Sequence, residues 1–314
     1  YRDAVGVNMI KIRKISKKDD LSSINNKNYD LFIYGEDIDE RTSFVLNEVK
    51  VRPQINIKYN NIKYDLIIDK SSFNLKNAFN YFKNKELKSI LIDTTSLDFP
   101  DLLYTLDAIN KSSKEIEITL IYVEPEQYKK QKSMYEEDEE FILSDNKNSF
   151  SALPLFAISN QTNVNIKSTL ISFLGFENFR LGQVLEADDG ANYSRLVALF
   201  SVPAYQAGWE NKSLKKHTQY FKQLKTQLTL YPGNNPYEVE KVLSKIYKGC
   251  EKMVVVSLGT KPSAIGIITF LINNVRNNSL KKQLGAMYDY PIKTKNRSSG
   301  IGEIYIYELH STTE

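Results

Sequence analysis

An order of landmarks that occurs twice constrains this chain more than any other feature. An apolar run ends in glycine and leads through an acid and an arginine into a helical stretch. The first instance is Leu31-Phe32-Ile33-Tyr34-Gly35 before Glu40 and Arg41, and the second is Leu170-Ile171-Ser172-Phe173-Leu174-Gly175 before Glu177 and Arg180. Another apolar run then closes on turn formers and a proline: Ile90-Leu91-Ile92 before Asp93 to Pro100, and Met253-Val254-Val255-Val256 before Ser257 to Pro262. A third stretch reaches a proline at Pro125 and again at Pro291. Short apolar runs bounded by turn formers suit strands buried on both faces, and their alternation with helical periodicity predicts an α/β fold of mostly parallel strands. The recurrence predicts two tandem Rossmann-like units, residues 1–148 and 149–314, at a period too long for a solenoid.

The linker expected between them is Lys129 to Ser151, with the acidic run Glu136-Glu137-Asp138-Glu139-Glu140 read as a solvated face. Within the first unit, helices are expected over Asp39–Glu48, Leu75–Lys85 and Asp98–Asn110, with Pro100 tolerated in a first turn. Within the second, strands are expected at Leu196–Val202, Leu228–Tyr231 and, last of all, Ile304–Leu309.

Composition prunes the chemistry. The chain has 314 residues, about two domains by length, and 41% hydrophobic with 25% charged residues is ordinary globular usage that excludes collagen-like and disordered classes. Two histidines, His217 and His310, and one cysteine, Cys250, cannot build a Cys/His zinc centre or an internal disulfide, so no metal or cofactor is expected. A lone cysteine, no signal peptide and no run of apolar residues long enough to span a bilayer lead to the expectation of a cytoplasmic protein with no membrane contact. A net charge of +4 is too mild for coating a long nucleic acid. A chain that begins at Tyr1 rather than methionine is expected to be a piece of a longer protein, with an upstream effector domain removed.

Ligands of open parallel sheets sit beyond the carboxyl ends of the strands, so the strand-to-helix turns are the place to look. Gly259-Thr260-Lys261 occupies one: bare backbone, a hydroxyl and a cation suited to phosphate or carboxylate, the same residues also serving as an ordinary helix cap. No G-x-x-x-x-G-K-[ST] and no G-x-G-x-x-G after a strand is present, which disfavours P-loop NTPases and dinucleotide dehydrogenases. The matching first-half turn, Asp93-Thr94-Thr95-Ser96, offers hydroxyls but no lysine, and Asp93 would repel an anion. Arg41 and Arg180 could reach an anion at the same edge or pair with neighbouring acids. Tyr288, Tyr290, Lys293, Lys295 and Arg297, followed by Ser298-Ser299-Gly300-Ile301-Gly302, combine aromatic faces with cations, a mixture suited to a nucleotide or short oligonucleotide. Asn192-Tyr193-Ser194-Arg195, Pro203-Ala204-Tyr205 and Trp209 are candidates for the same pocket.

The apolar strand running into Ser257-Leu258-Gly259-Thr260-Lys261-Pro262 resembles the strand-to-Gly-Thr-Lys turn of CARF domains, Rossmann-like sensors of cyclic oligonucleotides in bacterial antiviral defence. Two such units in one chain are similar to the related SAVED sensors. The resemblance implies a non-catalytic sensor or regulatory subunit that binds a nucleotide or cyclic oligonucleotide through Thr260 and Lys261 and acts on an effector nuclease or ATPase, or as a homo-oligomer. Two other classes stay open: an assembly subunit that binds such a partner, and a nucleotide-processing hydrolase using Asp93 or Glu124 as general base.

Overall fold

The computed structural model describes residues 8–112, 115–128, 144–145, 149–158, 166–175, 177–186, 193–202, 209–222, 224–279, 281–293 and 298–313. The fold is mixed α/β, and the chain divides into two compact units, residues 1–129 with 295–314 and residues 130–294.

The first unit runs through β1 (Asn8–Lys18), α1 (Ser22–Asn25), β2 (Leu31–Tyr34), α2 (Glu40–Glu48), β3 (Gln54–Asn60), β4 (Asp65–Ile68), β5 (Ser71–Asn74), α3 (Phe79–Lys83), β6 (Ser89–Asp93), α4 (Phe99–Ser112) and β7 (Ile116–Tyr128). At its centre β3, β2, β6 and β7 lie side by side and parallel. Leu31, Phe32, Ile33, Ile90, Leu91 and Ile92 are all buried, as strands covered by helices on both faces require. Right-handed crossovers carry α2 and α4 to opposite faces, because β2 leads to β3 on one side and β6 to β7 on the other. Asp39 fixes the start of α2 with a capping box: its carboxylate accepts from the Arg41 and Thr42 amides while the Thr42 hydroxyl accepts from its own amide.

The second unit comprises β8 (Ser144–Asp145), β9 (Ser151–Ala152), β10 (Ser168–Phe173), α5 (Asn178–Glu186), β11 (Tyr193–Ser201), α6 (Trp209–His217), β12 (Lys225–Tyr231), α7 (Pro236–Lys248), β13 (Lys252–Ser257), α8 (Lys261–Asn274), β14 (Gln283–Tyr288) and β15 (Ile292–Lys293). Its sheet has the order β12-β11-β10-β13-β14-β9, parallel except for β9. The face toward α5 and α6 buries Leu170, Leu196, Ala198, Phe200, Val254 and Val256 with Leu181 and Val184. Helix α8 is buried from Pro262 to Asn273, which explains why it is apolar on every side. Helix α7 lies outside the sequence expectation, although Asn235 caps it, Pro236 opens it and Val239, Leu243 and Tyr247 recur at a spacing of four.

A last strand, β16 (Ser298–Thr313), corrects the expected boundaries. It was expected in a second unit of residues 149–314, but it pairs antiparallel with both β7 and β1, completing a first sheet of order β1-β16-β7-β6-β2-β3-β4-β5. Ile304 and Ile306 join the cluster of Phe32, Leu91, Ile121 and Val123, so the apolar alternation of β16 is matched to the first core. Among the described residues, no helix is long and apolar enough to cross a membrane.

Candidate functional site

Each of the two large sheets has one place where neighbouring parallel strands send their helices to opposite faces, β2 beside β6 and β10 beside β13, and such switch points open a crevice at the carboxyl ends. A glycine stands at both. A Cβ on Gly35 would lie 2.4 Å from the Ser96 carbonyl oxygen, and one on Gly175 would lie 2.3 Å from that of Leu258. Only glycine lets the two turns approach so closely. The helices that follow, α4 and α8, are each 14 residues long with proline second. Counted from these prolines, Asp98 stands where Thr260 does, and Phe99 where Lys261 does.

In the second unit, Thr260 caps α8: its Oγ1 accepts from the Ser263 amide at 3.2 Å and donates to the Gly233 carbonyl at 2.9 Å. Its hydroxyl is therefore committed to holding the turn. Gly175, Gly259, Thr260 and Lys261 are half-buried at this edge. Behind Gly259, the buried Tyr231 packs edge-on against Phe173 with ring centroids 5.1 Å apart. Its hydroxyl stands beside those of Thr260 and Ser263 without completing a hydrogen bond to either, and burial pushes the phenol up to about 12.

Arg180 does not point free into the crevice. Its Nε and Nη2 donate to the two Asp289 oxygens at 2.7 and 2.6 Å, and Glu177 lies 3.7 Å from Nη1. Burial works against the guanidinium charge, but the fully buried Asp289 carboxylate more than offsets it and keeps Arg180 protonated. The next residue, Tyr290, is half-buried with a φ of 47°, a conformation that non-glycine residues rarely hold, and its ring meets Tyr288 edge-on at 5.4 Å. The buried ion pair anchors the turn that carries Tyr290.

The first-unit edge is different. Thr94 donates to the Ile121 carbonyl at 2.6 Å, the Thr95 hydroxyl accepts from the Val123 amide at 3.0 Å, and Asp93 accepts from the Thr95 amide at 2.9 Å. All three side chains are buried, so Asp93, Thr94 and Thr95 brace the sheet rather than face a ligand. Arg41 is held by Asp39 at 2.5 Å and donates to the Val123 carbonyl at 3.3 Å. Burial would raise the Asp39 carboxyl, but Arg41, Ser298 and the Thr42 amide bring it below its ordinary value. Glu124, inside β7 three residues past its last pairing with β6, is pushed up to about 7 by burial and by the charge of Glu303, against the pull of Lys17 and Arg41.

The expected aromatic and basic loop is divided: Tyr288 to Pro291 belong to the second unit, whereas Ser298 and Gly300 open β16 of the first, bonded to Asp39 and Glu40. Arg297, Lys295, Asn192, Pro203, Ala204, Tyr205 and the acidic run lie outside the described residues, as do the side chains of Lys293 and Trp209. Tyr193 is buried, its hydroxyl 3.3 Å from the Met287 sulfur, and so belongs to the core. Sequence reasoning missed Asp289 as the partner of Arg180. Its signal was a single acid between two tyrosines directly after an apolar strand. Sequence reasoning also missed the buried His217, whose Nδ1 lies 2.7 Å from the Ser213 carbonyl and which burial holds down to about 4. Among the described residues, no three His, Cys, Asp or Glu side chains converge as a metal-holding group. No protein-family model matches the chain, and a search of curated proteins returns no match.

Proposed function

We propose that the second unit is a Rossmann-like sensor module that binds a nucleotide or cyclic oligonucleotide, without turning it over, at the carboxyl edge between β10 and β13. The observation that carries this reading is the convergence at one switch point of two half-buried glycines, Gly175 and Gly259, with Lys261 opening a long buried helix. The order β12-β11-β10-β13-β14 is the strand order of doubly wound nucleotide-binding folds and supports the same reading. The α8 N-terminus and Lys261 suit a phosphate, and Tyr290 suits a base at the neighbouring strand end. Occupancy would pass to a partner such as an effector nuclease or ATPase, or to a second copy. Mass spectrometry of small molecules released from the denatured native protein, followed by calorimetric titration of what is found, tests this. Lys261→Ala should weaken binding by about 1.5–3 kcal/mol while thermal stability stays near that of the parent. Lost stability with unaltered affinity would assign Lys261 to structure instead.

One observation favours a second reading, a nucleotide-processing hydrolase. Glu124 is a buried carboxyl raised to about 7 in the part of β7 that runs on beyond β6, the property of a general acid or base. Metal-dependent turnover of nucleotides that disappears in Glu124→Gln would establish that reading and remove the first.

A further inference from the structure

Sheet edges expose unpaired amides and carbonyls, and proteins guard them with charge, brevity or a covering element. Among the described residues, the two large sheets have four edges, and three of them are guarded. β1 carries Lys11, Arg13, Lys14, Lys17 and Lys18 with no acid. β5 has four residues, Ser71–Asn74, and β9 has two.

The fourth edge, β12, is unlike these. It has seven residues, Lys-Thr-Gln-Leu-Thr-Leu-Tyr, and its one charge lies at the start. Among the described residues, it has one ladder partner, β11. Leu228 is 49% exposed and Leu230 63% exposed. Both lie on one face, opposite Ala198 and Phe200 in the ladder, so they continue outward the apolar surface on which α5 and α6 pack.

We infer that β12 is a homodimer interface, pairing antiparallel with β12 of a second copy about a two-fold axis at Thr229. The strand is complementary to itself in this register. Leu228 meets Leu230 of the other copy, and the symmetry repeats the contact, giving two apolar cross-strand pairs on one face. Gln227 meets Tyr231, and Lys225 falls beyond the paired stretch, so no like charges oppose one another. The cationic β1 edge repels its own copy, which directs self-association to β12. The inference does not depend on what the crevice beyond β10 and β13 binds.

Sedimentation velocity of the full chain across the micromolar range tests the inference. The parent should sediment as a dimer. Leu230→Lys, which places a cation opposite Leu228 of the second copy at a position open to solvent, should sediment as a monomer with unchanged circular dichroism and melting temperature. Ile62→Lys, at an exposed apolar residue of the β3–β4 turn in the first unit, should remain dimeric. If Leu230→Lys fails to fold, Leu228→Lys is read in its place. A parent that is monomeric throughout, as expected if another protein covers the edge, overturns the inference, and so does a dimer that persists in a folded β12 variant.

Discussion

The two units use the same switch-point geometry and fill it with opposite chemistry. In each, a glycine lets the turn after one central strand lie against a carbonyl of the turn after its neighbour, and a long helix with proline second follows. In each, an arginine early in the first crossover helix reaches the last parallel strand of the sheet or the turn just beyond it, Val123 for Arg41 and Asp289 for Arg180. The first unit then places Asp98 and Phe99 at its α4 start and buries Asp93 nearby, whereas the second places Thr260 and Lys261 at α8. The first edge thus presents acids and the second a cation, which under the proposed function repels an anion at one and accepts it at the other. A shared backbone arrangement fixes where a ligand could sit, and a few side chains at the helix start decide whether one is welcome.

The largest expected contrast lies in the two arginines. Arg180→Met strands a fully buried Asp289 and should cost about 3–5 kcal/mol, recovered in part by adding Asp289→Leu. Arg41→Met should cost only about 1–2 kcal/mol, because Asp39 keeps the amides of residues 41 and 42 and the Ser298 hydroxyl. Equal losses in urea unfolding would break the contrast.

Titration should separate the units as well, with each swing on the order of 3 kcal/mol. Glu124 has a raised folded value of about 7, so its contribution is full below its ordinary 4.5 and is lost as pH climbs to 7. His217 has a lowered folded value of about 4, so its contribution is full above its ordinary 6.5 and is lost as pH falls to 4. The two windows overlap with opposite sign, so Glu124→Gln should remove the loss of stability as pH climbs from 4.5 to 7, and His217→Gln the loss as pH falls from 6.5 to 4, each read in the melting of its own unit. A profile that neither variant alters would remove both assignments.

The smallest effect should be the shared one. Gly35→Ala and Gly175→Ala each force a methyl against a backbone carbonyl and should cost about 1–3 kcal/mol, similar in the two units. If only one variant loses stability on thermal melting, the correspondence between the switch points fails.

Much of the parallel core was legible in the sequence. The runs Leu31–Tyr34, Ile90–Ile92, Leu170–Phe173 and Met253–Val256 are apolar because helices cover both faces of their strands, and that burial writes itself into neighbouring residues. The glycines and prolines were legible for a similar reason, since turns and helix starts impose local conformations. Of the candidate site, Gly259, Thr260, Lys261 and Tyr290 do lie at one sheet edge, whereas Asp93, Thr94 and Thr95 turn inward to bond Ile121, Val123 and each other. That orientation depends on β7, a strand distant in sequence, and no local pattern encodes it.

By itself, then, the amino-acid sequence determined which segments become buried strands, where their helices begin, and that few histidines and cysteines are on hand for chemistry. Tertiary structure alone decided that β16 returns to the first sheet, that Arg180 belongs to Asp289 rather than to the crevice, and that β12 is left as an edge with a single charge at its start. The reason is range. Propensity, periodicity and capping act over one or two turns of chain, whereas the β16–β7 ladder and the Arg180–Asp289 pair join residues more than a hundred positions apart and are selected by which cores and partners the whole fold brings together.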